Sequence, residues 1–230
     1  MKAIAIIVGA GKGVRMNRAT PKQYLMLHHM PILAYSLEAF NTCQDVDQII
    51  LVVPKKDIQY CRDAVVAGVD MQKPVQIIGG GATRQDSVRQ GLLAIDDKES
   101  VVAIHDAVRP FVEPRQIAAC ISVAGKAGAC MLAIPVSDTL KAVGEDLLVK
   151  KTVSREGLWL AQTPQAFRYD IIVKGHESAV KERFYATDDA SLVERLGLKV
   201  KVISGSRRNL KITDPADLAV AEAIAGSLPA

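Results

Sequence analysis

The sequence predicts an α/β fold: a Rossmann-like, mostly parallel sheet flanked by helices, with a protruding β-hairpin arm. Three observations carry this. Short apolar runs rich in β-branched residues recur along the chain. The early runs are continuous rather than alternating, as in parallel strands covered on both faces. Helical stretches with apolar stripes lie between them, which is the rhythm of a layered α/β protein.

The strands read as Ala3–Val8, Ile49–Val53, Val75–Ile78, Val101–His105, Cys130–Ile134 and Val200–Ile203. Between them, Pro31–Phe40 sets Ile32, Leu33, Tyr35, Leu37 and Phe40 at helical spacing behind a helix-starting proline. Thr83–Ile95 opens with Thr83 and Asp86 in capping-box positions. Pro114–Lys126 and Asp188–Leu196 also read as helices, and Asp214–Ala225 begins on Asp-Pro, a good N-cap and first-position pair.

One segment breaks the rhythm. Ser137–Gln162 alternates polar and apolar residues around Gly144-Glu145-Asp146, predicting a hairpin of "TLKAV" and "LLVKKTV". Such a hairpin cannot easily bury both faces, so it suits an arm packed on another subunit; a surface flap on a monomer is the alternative. No repeat, low-complexity segment or linker interrupts the chain, which predicts one domain over residues 1–230.

Charge and composition narrow the function. A net charge of +4 over 230 residues, with no Lys/Arg block of about five or six, suits a small anionic substrate at least as well as nucleic acid. Aromatic residues at 4% supply few stacking platforms for single strands. Cys43, Cys61, Cys120 and Cys130 form no CxxC pair and no zinc-like spacing, so reduced, buried thiols are expected. The apolar N-terminal run is too short for a signal peptide and no segment has membrane-spanning length, which predicts a cytoplasmic protein with no membrane partner.

The chemistry begins at "IAIIVGAGKGVRMNRATPKQY", Ile4–Tyr24. A P-loop would need G-x-x-x-x-G-K-[ST], and no start position provides it. A dinucleotide fingerprint would need glycine at position 14, where Val14 stands, and no acidic residue ends the second strand at the required distance. What remains is a glycine loop followed by Lys12, Arg15, Arg18 and Lys22. Glycines let backbone N–H groups approach phosphate oxygens, and Arg15 and Lys22 can neutralise charge developing on a polyphosphate. A merely solvated basic face is the alternative.

Further stretches accompany the loop: "PKQY" at Pro21–Tyr24, "GGGATRQDSV" at Gly79–Val88, "HDAVRPF" at His105–Phe111, "TPQAF" at Thr163–Phe167, "TDDAS" at Thr187–Ser191 and "NLKITDPADLAVAE" at Asn209–Glu222. In this order the chain resembles the 2-C-methyl-D-erythritol 4-phosphate cytidylyltransferase family over essentially its whole length, in the single-function form. It departs from the family pattern at Val8-Gly9-Ala10-Gly11, where P-A-A-G is usual, and at Ala82, where relatives often carry an acid.

The resemblance implies CTP and methylerythritol phosphate as substrates, a CDP-alcohol and pyrophosphate as products, and a divalent cation, Mg²⁺, as cofactor. A phosphate monoester, with its second pKa at about 6, is largely dianionic at neutral pH and needs no general base. The absence of a Ser/His/Asp or Cys/His constellation is therefore expected, and positioning with charge neutralisation must supply the acceleration.

By the same resemblance, Arg15, Lys22 and Lys211 are the catalytic cations. Gly9, Ala10, Gly11, Gly80, Gly81, Ser87 and Asp106 form the nucleotide site, with Asp106 as metal ligand. Arg109, Thr139, Arg155 and Lys211 receive the acceptor. In the family Thr139 and Arg155 would come from a partner subunit's arm, which implies a homodimer. A helix cap or an ion pair with Arg109 is the plainer reading of Asp106. Asp188 and Asp189 read as helix caps or as metal or ribose contacts. His105 lies on the opposite face of its strand from Asp106 and reads as a packing histidine. His28-His29 falls in a turn with no further ligand nearby. A cytidylyltransferase for another polyol phosphate, such as ribitol 5-phosphate, and a non-catalytic nucleotide-binding domain are the rival functions.

Overall fold

In the computed structural model, residues 1–11 and 20–227 are described. In chain order the elements are β1 (Ala3–Val8), a short hairpin of β2 (Met26–Leu27) and β3 (Met30–Pro31), α1 (Ile32–Thr42), β4 (Gln48–Val53), and α2 (Ile58–Tyr60) within a run of tight turns. Then come β5 (Val75–Gly79), α3 (Arg84–Leu93), β6 (Val101–Asp106), α4 (Pro114–Ala127) and β7 (Ala129–Pro135). The arm strands β8 (Leu140–Val143) and β9 (Val149–Val153) follow, then β10 (Trp159–Arg168), α5 (Tyr169–Glu182), α6 (Ala190–Arg195), β11 (Lys201–Ser204) and α7 (Pro215–Ala225).

Among the described residues, seven strands form the central sheet in the order β11-β7-β10-β6-β1-β4-β5. β1 is parallel to both β4 and β6, while β10 runs antiparallel between β6 and β7. The sheet is therefore mostly parallel, as the continuous apolar runs predict. Burial explains those runs. All six residues of β1 are buried, but alternate ones enter different cores. Ala3, Ala5 and Ile7 pack with Leu37 and Phe40 of α1 and Ile117 of α4. Ile4, Ile6 and Val8 pack with Val88 and Leu92 of α3 and Ile172 of α5. A period-2 strand looks uniformly apolar when both faces are covered. A third cluster, with Leu27, Phe111, Ile212 and Leu218, fastens α7 and the β2–β3 hairpin beside this sheet.

The predicted capping box closes α3: Thr83 Oγ1 accepts from Asp86 N–H at 3.0 Å and Asp86 Oδ2 accepts from Thr83 N–H at 3.1 Å. Asp214 does the same for α7. The four cysteines are buried and free, and burial pushes the Cys61 thiol up to about 12. Among the described residues no helix is long and apolar enough to cross a membrane.

Two elements depart from the sequence expectation. The arm does not extend to Gln162: Trp159, Leu160 and Ala161 pair with Pro135, Ile134 and Ala133, so they begin β10 of the central sheet. This strand escapes an apolar pattern because Gln162, Thr163 and Gln165 are buried polar residues, and its register shifts between Ala161 and Gln165. α5 also lacks an obvious stripe, since Gly175 and His176 occupy its buried face beside Ile172 and Ala179.

Candidate active site

The loops at the carboxyl ends of β1, β5 and β6 converge, where sites of open α/β sheets lie. They enclose a cavity of about 420 Å³ lined by Gly9, Ala10, Gly11, Lys22, Gly81, Arg84, Ser87, Asp106 and Lys211, among others. The structure thus brings together residues predicted from the glycine loop and from four further motifs. Arg15 lies outside the described residues.

Hydrogen bonds hold the walls in place. Gly9 N–H donates to Val52 O at 2.7 Å and Gly80 N–H donates to Val53 O at 2.8 Å, which fastens both glycine loops to the end of β4. Gly81 N–H donates to Ser87 Oγ at 3.2 Å, and that hydroxyl donates to Thr83 O at 2.8 Å. Gly80 itself does not line the cavity. A Cβ there would sit 2.4 Å from Ala10 Cβ and 2.8 Å from Ser87 Oγ, so glycine is what lets the two loops touch. On the opposite wall, the turn Lys22–Tyr24 presents Lys22, whose Nζ donates to Ile212 O at 3.1 Å. That bond ties the "PKQY" turn to the segment carrying Lys211.

Asp106 is the electrostatic centre. It is 6% exposed, with Arg84 Nε 2.8 Å from Oδ1 and Lys211 Nζ 2.7 Å from Oδ2. Burial alone would raise its carboxyl; Arg84 and Lys211 outweigh that and hold it well below the usual carboxylate range. Arg109, the ion-pair partner weighed for Asp106, instead donates to Asn209 O at 2.7 Å and lies outside the cavity lining. Arg84 carries no role in the sequence reading. The signal available was its place one residue after the capping Thr83, on a helix that opens toward the glycine loop. Its acidic partners stand 22 and 105 positions away, beyond any local pattern.

A second layer fixes Asp106 from behind. Its N–H donates to Thr163 Oγ1 at 3.1 Å, and Thr163 Oγ1 lies 3.0 Å from His105 Nδ1. His105 Nε2 is 3.1 Å from Arg109 O, which can only accept, so Nε2 carries the proton and Nδ1 accepts from Thr163. Burial lowers His105 to about 4, which keeps this ring neutral. The ring also packs on Phe40 at 5.0 Å between centroids, in keeping with a packing histidine.

The two adjacent acids divide their work. Asp188 caps α6, accepting from Ser191 N–H at 3.0 Å. Asp189 is 1% exposed and bonds Arg84 NH1 at 2.8 Å, with His176 Nε2 3.8 Å away. Asp189 is therefore the far anchor of Arg84. Burial would raise it, but Arg84 and then His176 bring it below the ordinary value.

Thr139 and Arg155 stand apart from the cavity, exposed at the root of the arm. Arg155 NH1 donates to Ser137 O across that root. Among the described residues no cluster of three or more His, Cys, Asp or Glu could hold a metal by itself. A hard divalent cation that takes one carboxylate and draws its other ligands from phosphates and water fits this donor set.

A glycine-walled cavity at the carboxyl edge of the sheet, with Lys22 in its lining and Arg84 and Lys211 paired to one carboxylate, suits a nucleotidyltransferase of the α/β class. Comparison with known proteins narrows this. Residues 3–227 match the profile of the 2-C-methyl-D-erythritol 4-phosphate cytidylyltransferases, IspD, and the chain belongs to that family. It is 46% identical to the 2-C-methyl-D-erythritol 4-phosphate cytidylyltransferase of Pelotomaculum thermopropionicum, covering 97% of this chain and 94% of the relative. It is 47% identical to that of Geobacter metallireducens, covering 97% of each. A crystal structure of 4-diphosphocytidyl-2C-methyl-D-erythritol synthase from Anaerococcus prevotii superposes with a TM-score of 0.86 at 32% identity, over 98% of this chain and 96% of that one.

Proposed function

We propose that the chain transfers a cytidylyl group from CTP to the phosphate of 2-C-methyl-D-erythritol 4-phosphate, releasing pyrophosphate, in isoprenoid precursor synthesis. The observation that carries this is the cavity itself, lined by Lys22, Arg84 and Lys211 in a chain of the IspD family. We read residues 1–230 as one nucleotidyltransferase domain working in the cytoplasm.

The acceptor phosphate supplies its own nucleophile, since a monoester is mostly dianionic above its second pKa of about 6. An oxygen of that phosphate attacks the α-phosphorus of CTP, a new P–O bond forms, and the bond to the pyrophosphate oxygen breaks. The work left to the protein is to align two anions and neutralise the charge that builds up. Lys22 and Arg15 take the triphosphate and the reacting α-phosphate. Lys211 neutralises phosphate at the meeting point of the two substrates. Gly9 and Gly11 shape the phosphate wall, while Ala10, Gly81 and Ser87 shape the base wall, with Gly80 letting the two loops touch. Asp106 would hold Mg²⁺, which when bound would offset triphosphate charge. Arg109, Thr139 and Arg155 receive the acceptor.

The exposed apolar side chains of the arm, Val143, Leu147, Leu148 and Val149, support a homodimer in which a second copy covers the arm. Sharing of Thr139 and Arg155 between copies follows from that arrangement, because neither reaches the cavity of its own chain. The test is pyrophosphate release from CTP with each acceptor in turn. Release with methylerythritol phosphate at a kcat/KM at least a hundredfold above that with ribitol 5-phosphate is expected. Release only with ribitol 5-phosphate would replace the acceptor, and release with neither would remove the catalytic reading.

A further inference from the structure

The two cations on Asp106 are not equivalent. Arg84 is held at both ends: Nε meets Asp106 Oδ1 at 2.8 Å and NH1 meets Asp189 Oδ2 at 2.8 Å. Asp189 is fixed in turn, since its N–H donates to Gln165 Oε1 at 3.1 Å and Gln165 Nε2 donates to Asp188 Oδ2 at 2.8 Å. Gln165 and Asp189 are each 1% exposed. Arg84 therefore spans a rigid frame built from β10 and the start of α6, and moving it would strand a buried carboxylate.

Lys211 differs in every respect. It sits on the irregular segment between β11 and α7, its side chain is 36% exposed, and its ion-pair partner among the described residues is Asp106. Its flexible stem lets the ammonium move at little cost. The four charges Asp106, Asp189, Arg84 and Lys211 balance as they stand. A divalent cation arriving at Asp106 Oδ2 would share that one oxygen with an ammonium. Like-charge repulsion at such a distance exceeds what a partly exposed ion pair returns. A nearby phosphate offers the ammonium a better partner.

We infer that Lys211 is an exchangeable counter-ion: it neutralises Asp106 in the empty cleft and passes to a substrate phosphate when a divalent cation takes Oδ2, while Arg84, locked by Asp189, stays. This deepens the cytidylyltransferase reading and rests on it for the cation and the triphosphate. The exchange couples the two bindings. Metal alone must evict a lysine that has nowhere better to go, whereas metal with nucleotide gives that lysine its phosphate. Asp189 and Arg84 are positioning residues in this scheme, since they hold Oδ1 and leave Oδ2 as the oxygen that changes partner.

The experiment uses Mn²⁺ as the probe, followed by electron paramagnetic resonance, with no acceptor present. Lys211→Met should bind Mn²⁺ alone about tenfold or more tightly than the unaltered protein, the scale on which one neighbouring charge shifts such an equilibrium. Asp106→Asn should abolish the gain when combined with it. A Lys211→Met protein that binds Mn²⁺ no more tightly overturns the inference. A second readout needs no variant: acylation of Lys211 by an amine reagent, followed by mass spectrometry. Mn²⁺ alone should speed Lys211 labelling, and CTP with Mn²⁺ should slow it below the metal-free rate. Labelling that Mn²⁺ alone leaves unchanged also overturns the exchange. Neither readout involves pyrophosphate release, so failure here is separable from failure of the proposed reaction.

Discussion

The cleft and the arm solve opposite problems with the same chain. In the cleft, charges are buried and paired: Asp106 and Asp189, at 6% and 1% exposure, each rest on Arg84. On the arm, apolar side chains face outward: Leu147 is 84% exposed and Leu148 67%. The cleft needs polar atoms held in place before substrate arrives, and it obtains that from the sheet beneath it. The arm strands β8 and β9 form a two-stranded sheet on their own, which is marginal in water without a covering surface. The first region is satisfied within one chain; the second leaves apolar surface uncovered.

The difference can be broken at several points, and the largest effect belongs to the cleft. Lys22→Ala should lower turnover about 10²- to 10³-fold while CTP affinity falls less, because the lost stabilisation acts where charge develops. Pre-steady-state measurement of the chemical step separates the two; near-normal turnover would remove Lys22 from its role.

Next comes the frame behind the cleft. Asp189→Ala leaves Arg84 half-paired and His176 without its acid, and should cost about 3 kcal/mol of unfolding free energy in urea. A loss within about 0.5 kcal/mol, the ordinary range for surface changes, would mean the buried ladder contributes little.

His105 offers a pH probe of the same frame. Its native value of about 4 lies below the value of about 6.5 for an unfolded chain, so between these limits the unfolded state binds more protons. Stability from this group is complete above that window and drains away as pH falls through it, by up to about 3 kcal/mol. Asp106 and Asp189, both lowered, add a further loss at more acidic pH as their native carboxylates protonate. In His105→Gln the slope between pH 6.5 and 4.5 should flatten; an unchanged slope would assign the acid sensitivity elsewhere.

The smallest effect on the subunit belongs to the arm. Leu147→Lys should leave unfolding of the subunit within about 0.5 kcal/mol of its original value, yet shift sedimentation toward the single chain. A protein that keeps the mass of a pair would show that the arm tip is not covered by a second copy.

The sequence made much of this legible, for identifiable reasons. β1 reads without ambiguity because both its faces are buried, and α3 because Thr83 and Asp86 announce its start. Asp106 could be singled out because it ends a strand next to other recognisable motifs. β10 stayed hidden because its buried residues Gln162, Thr163 and Gln165 are polar and find their partners in distant segments. Arg84 stayed hidden for the same reason, since its value lies in meeting acids from β6 and the turn before α6. Periodicity reports which face of an element is dry. It carries no information about which polar groups meet across a fold.

The proposed sharing of a site between the cleft of one copy and the arm of another has a direct test. Co-expression of Lys22→Ala and Arg155→Ala chains under different tags, followed by purification on both, isolates the mixed pair. One of its two clefts then has Lys22 in the wall and Arg155 on the arm that reaches it. Arm sharing predicts about half the cytidylyl transfer of the unaltered pair, far above either variant alone. Activity no higher than that of the better single variant would contradict it.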